Sequence, residues 1–484
     1  MAQRQHREAG SAHLFERRMQ HLLWLSLSVL IIKLVIIAGT GTGAWLGADG
    51  ENYTGIVEGF WKGGLLAPGL MYWPAGYPLL LWILALPSHA ALPWLISITQ
   101  TLLFSYSVWF FARAVLKTRL DWAALPFAYL ALLNPTLSLS SIAIGYESPA
   151  AALHILAAGL LILDLRTGEA ERRSRYLLWA AVALGVATFM QPRLAVSGIA
   201  VLAVWGWTRA GGKARVTAIL VPVMVVLAFP GILVARNIAA NHVATVSTNL
   251  GITMMIGAGP TASGTYEPQW KGVPCDAPST DPVIHDQQQT KCVISWYLHN
   301  PAQVVRLSLA KTAWFWSNWY GPVAKGTMAR NPWLRIDPIK AMVTTQASYD
   351  LVFGLFGQIV SWAWILGGIA VLLLGVVGTW RMSGLERTLG IALSIIVIAS
   401  WVISLGTIGD HRFRVPIMTA SLFLQVVGWR FLWGRGSLPG IEARPRRLAG
   451  DARGEPVPAG SGMSAPKSPR AGAQLSKSAR RKRR

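Results

Sequence analysis

Charged residues are scarce in this chain. Asp, Glu, Lys and Arg together make up 13% of its 484 residues, whereas 53% are hydrophobic and 23 are tryptophan. A soluble protein carries roughly 25% charged residues, because its surface faces water. The shortage excludes a soluble globular protein and predicts a polytopic membrane protein, whose apolar side chains face lipid.

Acidic residues are the scarcer charge, with 21 against 44 basic residues and a net charge of +23. The basic residues fall in loops between apolar runs and in residues 434–484, whose Arg, Pro, Gly, Ser and Ala cannot bury a core. We predict that this tail is disordered and cytoplasmic. We interpret the charge as a topogenic signal and a contact with membrane lipids, not with nucleic acid; a protein partner of the tail is the alternative.

Ten apolar runs are long enough to be candidate membrane helices. The fifth and sixth are short and are separated by Gln191-Pro192-Arg193, so they could form one broken helix, but the charge distribution favours two. Residues 77–87 are too short to span and are interpreted as an interfacial helix. The ten runs cover residues 22–43, 91–113, 121–143, 148–165, 176–190, 193–208, 215–235, 352–379, 387–406 and 415–433.

Lys and Arg in the loops predict the orientation. If residues 1–20 are cytoplasmic, ten spans place every Lys/Arg-rich loop on the cytoplasmic side. The predicted fold class is mainly α: a polytopic membrane helical bundle of about ten helices with a small mixed extracytoplasmic segment. It comprises a transmembrane module at 21–235 with its first outer loop at 44–90, an extracytoplasmic segment at 236–350, C-terminal helices at 351–433 and the tail at 434–484. We expect a multi-pass protein of the plasma (inner) membrane.

The chain has two cysteines, Cys275 and Cys292. No Cys-x-x-Cys motif or His pair accompanies them, which argues against a zinc site. Both lie in the predicted extracytoplasmic segment, where oxidising conditions favour a disulfide. Two unrelated thiols are the alternative.

Several motifs on the predicted outer side resemble one superfamily. They are Asp49 with Tyr53, the cluster Trp73-Pro74-Ala75-Gly76-Tyr77-Pro78, the stretch from Arg236-Asn237 through Ser247-Thr248-Asn249-Leu250-Gly251, and the turn Arg412-Phe413-Arg414-Val415-Pro416. Together they resemble the GT-C superfamily of membrane glycosyltransferases. The similarity is greatest to its polyprenyl-phosphate-sugar-dependent branch, which includes protein O-mannosyltransferases and the aminoarabinose transferases of lipid A.

This resemblance implies a GT-C-like fold and a glycosyltransferase of the cell envelope. The implied donor is a polyprenyl-phosphate sugar, and the sugar passes with inversion to a hydroxyl of an acceptor glycan, lipid or protein on the extracytoplasmic face. Asp49 is the implied catalytic base.

The residue types fit that chemistry. Transfer to a hydroxyl needs a carboxylate to take the acceptor proton and cations to stabilise the departing phosphate. Glu147 is a second candidate carboxylate, which could orient the acceptor or help to bind a divalent cation; a helix-end carboxylate is the alternative reading of either acid. The candidate phosphate ligands, each of which could instead be an interfacial anchor or ion-pair partner, are Lys62, Arg193, Arg412 and Arg414.

Aromatic and amide side chains are candidate substrate-binding groups: Tyr53, Trp73, Tyr77 and Asn249. A membrane-interface belt is the alternative explanation for the aromatic residues. Lys33 lies in the middle of the first run and is expected to face the bundle interior, against either a ligand or a structural partner.

Internal repeats are absent, and the candidate acids lie outside the apolar runs, which disfavours a lipid or polysaccharide transporter. An oligosaccharide ligase or polymerase that uses a pyrophosphate lipid remains open. The identity of the sugar, the acceptor class and any metal requirement do not follow from the residue pattern.

Overall fold

The computed structural model describes residues 2–40, 45–46, 49–166, 175–266, 272–273, 275, 278–317 and 354–434. Helices dominate this part of the chain, which confirms the mainly α fold. The first ten are α1 (Ala2–Thr40), α2 (Gly50–Gly63), α3 (Gly76–Ala85), α4 (Leu92–Val115), α5 (Ala124–Leu133), α6 (Pro135–Leu139), α7 (Glu147–Arg166), α8 (Arg175–Met190), α9 (Ala195–Arg209) and α10 (Gly212–Asn241). The others are α11 (Leu250–Ile256), α12 (Pro282–His299), α13 (Pro301–Trp316), α14 (Leu355–Trp380), α15 (Leu385–Gly406) and α16 (His411–Trp433).

Seven of the described helices are long and apolar enough to cross a membrane: α1, α4, α7, α10, α14, α15 and α16. An eighth candidate is a pair, Asp121–Leu133 and Thr136–Ile142, bent by 60° at a short break. The predicted fifth and sixth spans correspond to α8 and α9, which have 16 and 15 residues and are shorter than the roughly 20 residues of a typical span. The structure thus confirms a polytopic helical bundle.

The break between α8 and α9 lies where the sequence predicts it. Gln191 has an extended backbone, and Pro192–Leu194 form a short 3₁₀ helix before α9 begins. Proline donates no backbone hydrogen bond and disfavours a helical conformation in the residue before it. The predicted interfacial helix at 77–87 is α3, with 10 residues.

The core lies between the central helices α7 and α16, which are the most buried of the candidate spans. Phe111 of α4, Phe127 of α5 and Phe423 of α16 meet edge to face, with ring centroids 5.1 to 5.7 Å apart. Helices α14 and α16 approach closely at two glycines. A Cβ atom on Gly375 would lie 1.8 Å from the carbonyl oxygen of Leu424, so only glycine fits this packing.

Two short strands join the first outer loop to the start of α7. Strand β1 (Trp45–Leu46) pairs in parallel with β2 (Ala143–Ile144), with Leu46 opposite Ile144. Asp49 follows Leu46 by three residues, and Glu147 follows Ile144 by three residues. The register therefore brings the two acids to neighbouring positions.

The opposite end of the bundle carries an ion pair and a hydrogen bond to a carboxylate. Arg18 of α1 pairs with Asp121, and the backbone N–H of Arg119 donates to Glu386 of α15. These contacts join the predicted cytoplasmic loops to one another. Asp49 follows the C-terminal end of α1, and Glu147 opens α7. Both acids therefore lie at the end of the bundle opposite these contacts.

Within the described part of the predicted extracytoplasmic segment 236–350, helices α11, α12 and α13 alternate with irregular stretches, and the described strands lie elsewhere. Its predicted start falls inside α10, which continues to Asn241 despite Pro222 and Pro230. Residues 318–353, and the predicted tail from 435 onward, lie outside the described residues. Cys275 and Cys292 form a disulfide with their Cα atoms 6.0 Å apart.

Candidate active site

Two carboxylates and one guanidinium meet at one end of the bundle. Arg412 Nη1 lies 2.5 Å from Asp49 Oδ2, and Arg412 Nε donates to Glu147 Oε1. The three side chains are 12 to 17% exposed. Because Arg412 contacts both acids, its charge offsets the repulsion between them.

Local structure explains the position of each charge. Asp49 precedes α2, and Glu147 is the first residue of α7. Arg412 lies in the first turn of α16, where the N-cap Asp410 accepts a hydrogen bond from its backbone N–H at 3.0 Å. Gly145 leaves room for the second acid, because a Cβ atom there would lie 2.5 Å from Glu147 Oε2.

Arg193 lies beside this triad, in the break between α8 and α9. Its Nη2 donates to the phenol oxygen of Tyr146 at 2.8 Å, and its guanidinium carbon lies 3.6 Å from the ring centroid of Phe413. Among the described residues, no carboxylate forms an ion pair with Arg193 and Tyr146 is its one side-chain hydrogen-bond partner. Burial lowers the pKa of Arg193, although an arginine stays protonated at neutral pH. This cation keeps donors free for an anionic ligand.

Three buried tyrosines surround the charges. Tyr53 packs edge to face against Tyr77 and Trp73, with ring centroids 5.1 and 6.4 Å apart. The guanidinium of Arg412 lies 5.5 Å from the ring centroid of Tyr146. Burial raises the pKa of Tyr53, Tyr77 and Tyr146, so all three phenols remain protonated at neutral pH. Their rings therefore surround the acids and cations with buried aromatic side chains.

The structure therefore brings together six of the predicted site residues: Asp49, Glu147, Arg193, Arg412, Tyr53 and Tyr77. Trp73 extends this group through its contact with Tyr53 and through Tyr72, whose ring centroid is 5.4 Å away and which is 44% exposed. This row of rings leads from the surface to the acids.

Three other candidates have different surroundings. The side chain of Lys62 is 80% exposed and lies 3.9 Å from Glu58, one turn away on α2. Arg414 is buried and donates to the carbonyl oxygens of Trp316 and Ser317 at 2.8 and 2.9 Å. Asn249 stands at the N-terminus of α11 and accepts a hydrogen bond from Ser247. None of these described contacts reaches Asp49 or Glu147.

Sequence reasoning gave no role to Tyr146 or Phe413, which hold Arg193. The available signal was adjacency, because Tyr146 precedes Glu147 and Phe413 follows Arg412 in the chain. Alternating aromatic and charged residues at a helix start can place a ring and a charge in the same site.

The two carboxylates are also candidate metal ligands. Asp49 and Glu147 offer the oxygen donors that hard divalent cations prefer, but both are engaged by Arg412. Within the described ranges, no group of three or more His, Cys, Asp or Glu residues could hold a metal ion. We therefore assign no metal to this site.

Comparison with known proteins gave matches among solved structures alone: no family model and no curated protein matches the chain. It is similar to the Archaeoglobus fulgidus oligosaccharyltransferase AglB in complex with an inhibitory peptide and a dolichol-phosphate, with 15% identity and a TM-score of 0.40 over 85% of this chain and 50% of that chain. It is also similar to the apo form of the Archaeoglobus fulgidus oligosaccharyltransferase, with 15% identity and a TM-score of 0.43 over 85% and 51% of the chains. The chain spans about half the length of these proteins, and a likeness of this size assigns no role to any residue.

Proposed function

We propose that the protein is an integral membrane glycosyltransferase that moves a sugar from a polyprenyl-phosphate donor to an acceptor hydroxyl. The observation that carries this proposal is the group formed by Asp49, Glu147, Arg412 and Arg193 at one end of an apolar helical bundle. An acid for the acceptor proton and cations for a phosphate stand together there. The resemblance of the surrounding motifs to GT-C glycosyltransferases supports the same conclusion.

The reaction is a single displacement. The acceptor oxygen bonds to the anomeric carbon, and the bond between that carbon and the phosphate oxygen breaks. Asp49 takes the acceptor proton, and the polyprenyl phosphate leaves with the electron pair. Attack from the side opposite the phosphate inverts the anomeric configuration.

Arg193 is the first contact for the donor phosphate in this scheme, because it has unused donors and no carboxylate partner among the described residues. Guanidinium groups suit phosphate oxygens because they donate two parallel hydrogen bonds. Arg412 then exchanges its contact with Asp49 for the phosphate, which frees Asp49 to act as a base. Glu147 keeps its contact with Arg412 and orients the acceptor.

We place this site on the extracytoplasmic face of the plasma membrane. Two observations support that orientation: the basic loops meet at the opposite end of the bundle, and the disulfide lies in the segment that we assign to the oxidising side.

The test is transfer of radiolabelled sugar from polyprenyl-phosphate donors by purified protein, comparing wild type with Asp49→Asn. Loss of a general base lowers turnover on the order of a hundredfold to ten-thousandfold, and Asp49→Asn is expected to do so with unchanged protein yield. Glu58→Gln is the control, because Glu58 lies on α2 but is 57% exposed. Full activity of Asp49→Asn would contradict the assignment of the base. Wild-type transfer of a glycan from pyrophosphate lipids, with none from monophosphate lipids, would instead identify a ligase.

A further inference from the structure

The chain between α5 and Glu147 is irregular, although it lies inside the helical bundle. It bends by 60° before α6, passes through a 3₁₀ helix at Ser140–Ile142 and ends in the two residues of β2. An irregular backbone leaves carbonyl and amide groups without helical partners, and lipid offers none. Other side chains must therefore satisfy the segment 138–145.

A polar face of α4 supplies most of these partners. Ser97 Oγ donates to the carbonyl oxygen of Ile142 at 2.8 Å, and Gln100 Nε2 donates to that of Ala143 at 3.0 Å. Thr101 Oγ1 lies 3.2 Å from Ser141 Oγ. The three α4 side chains are buried, and their spacing of three and four residues places them on one face of the helix.

Tyr77 of α3 closes the far end of the segment. Its hydroxyl accepts a hydrogen bond from the backbone N–H of Gly145 at 2.9 Å and lies 3.5 Å from Gln100 Oε1. Gly145 is two residues before Glu147. Thus α3 and α4 fix the chain up to the candidate catalytic acid.

Lys33 of α1 supports the near end from inside the bundle. Its Nζ donates to the carbonyl oxygen of Ser138 at 3.2 Å and to Ser141 Oγ at 3.0 Å, and it lies 4.8 Å from the ring centroid of Phe104. The residue is 1% exposed, and no carboxylate in the described part of the chain forms an ion pair with it. An ammonium group within a membrane span is costly and marks a functional position. Two of its three N–H donors go to the irregular segment, and the side chain is buried inside the bundle.

We propose that Lys33 is a positioning residue, which holds the segment 138–145 through Ser138 and Ser141 so that β2 pairs with β1 and Glu147 stands beside Asp49. Its effect on turnover rests on the proposed function, whereas its effect on strand pairing does not. Misplacement of a reacting group by about 1 Å can lower turnover a hundredfold. Lys33 therefore acts on the reaction without touching a substrate.

The experiment compares Lys33→Met with Ser26→Ala in the full-length protein. Ser26 lies on the same helix and is 6% exposed, and its hydroxyl has no hydrogen-bond partner among the described residues, so its loss is a matched control for removing a buried polar group. The first readout is kcat and KM for sugar transfer. We expect Lys33→Met to lower kcat by about tenfold to a hundredfold with KM for the donor within about twofold, and Ser26→Ala to change neither.

The second readout needs no activity. Leu46→Cys and Ile144→Cys place two thiols on paired residues of β1 and β2, where neighbouring parallel strands lie about 4.8 Å apart and a disulfide can form. The native cysteines are already joined and do not compete. Lys33→Met should slow cross-linking by at least about fivefold, because the two thiols of a loosened segment meet less often in the geometry that a disulfide needs. Ser26→Ala should not slow it.

Wild-type kcat together with a wild-type cross-linking rate in Lys33→Met would overturn the proposal. If Lys33→Met does not accumulate, Ser141→Ala removes the hydroxyl that accepts from Lys33 Nζ and is judged by the same two readouts. If the wild-type protein transfers no sugar, the proposed function fails, and the cross-linking rate still decides whether Lys33 positions β2.

Discussion

At the scale of single residues, the candidate site depends on one guanidinium shared between two acids. Arg412 contacts Asp49 and Glu147, while Arg193 rests on Phe413 and Tyr146. Two negative and two positive groups therefore lie within one small region. A phosphate that enters this region adds negative charge, which weakens the hold of Arg412 on the acids.

Gly145→Ala should lower activity without unfolding the protein. The added Cβ would lie 2.5 Å from Glu147 Oε2, so the carboxylate must move away from Arg412. We expect transfer to fall by about tenfold, the scale on which misplaced groups lose turnover. Gly55→Ala is the control, because a Cβ atom at Gly55 meets nothing within 4 Å. Equal initial rates for the two variants would contradict this account.

The sequence indicated which charged residues are candidates for the site, but not which of these candidates lie together in the fold. Asp49, Glu147, Arg193 and Arg412 were candidates because acids and cations are rare in so apolar a chain. Lys62 satisfies the same criterion, yet the rotation of α2 turns it outward. Rotation of a helix about its axis depends on packing between distant segments, which a pattern along one segment does not contain.

At the scale of elements, α12 and α13 hold the C-terminal end of α15, which leads into the helix that contains Arg412. Lys311 Nζ donates to the carbonyl oxygen of Leu405 and to Tyr297 Oη, both at 2.9 Å, and Tyr297 Oη lies 3.3 Å from the carbonyl oxygen of Gly406. These groups satisfy the C-terminal carbonyls of α15, just before α16 begins.

Lys311 should make stability depend on pH. Burial lowers its pKa from 10.5 to about 7, so between these values the unfolded chain binds a proton that the folded chain does not. The free energy of unfolding therefore rises with pH across this window, and below about pH 7 the dependence disappears because both states are protonated. Lys311→Met should flatten the rise of melting temperature between about pH 7 and about pH 10.

Melting curves in detergent measure this slope. Lys62→Met, at an exposed lysine, should keep the wild-type slope. A slope that is the same in Lys311→Met and wild type would show that Lys311 does not titrate in this range.

The element boundaries show what sequence patterns capture. Long apolar runs predicted the spanning helices, and Gln191-Pro192-Arg193 predicted the break between α8 and α9. The outer segment was harder: we predicted a small mixed segment, and its prolines Pro282 and Pro301 each open a helix. Proline is compatible with the first turn of a helix, so its presence does not distinguish a loop from a helix start.

At the scale of the whole molecule, the two ends of the bundle differ in their chemistry. One carries the candidate site and the other carries Arg18, Asp121, Arg119 and Glu386. Our orientation makes the first end extracytoplasmic. Single-cysteine labelling can test this, because the two native cysteines are joined in a disulfide.

Ser88→Cys and Ser383→Cys are suitable reporters, since both residues are exposed and lie at opposite ends of the bundle. A maleimide that does not cross membranes should label Ser88→Cys in intact cells. Ser383→Cys should be labelled only after permeabilisation. The reverse pattern would place the site on the cytoplasmic side and contradict our orientation.

The pairing of β1 with β2 also restricts how the gene can change. Each acid lies three residues beyond its strand, so the two spacings must stay equal for the acids to meet. One inserted codon after either strand would make the two spacings unequal and shift one acid relative to the other. Insertions and deletions should therefore be eliminated by selection between Leu46 and Asp49 and between Ile144 and Glu147.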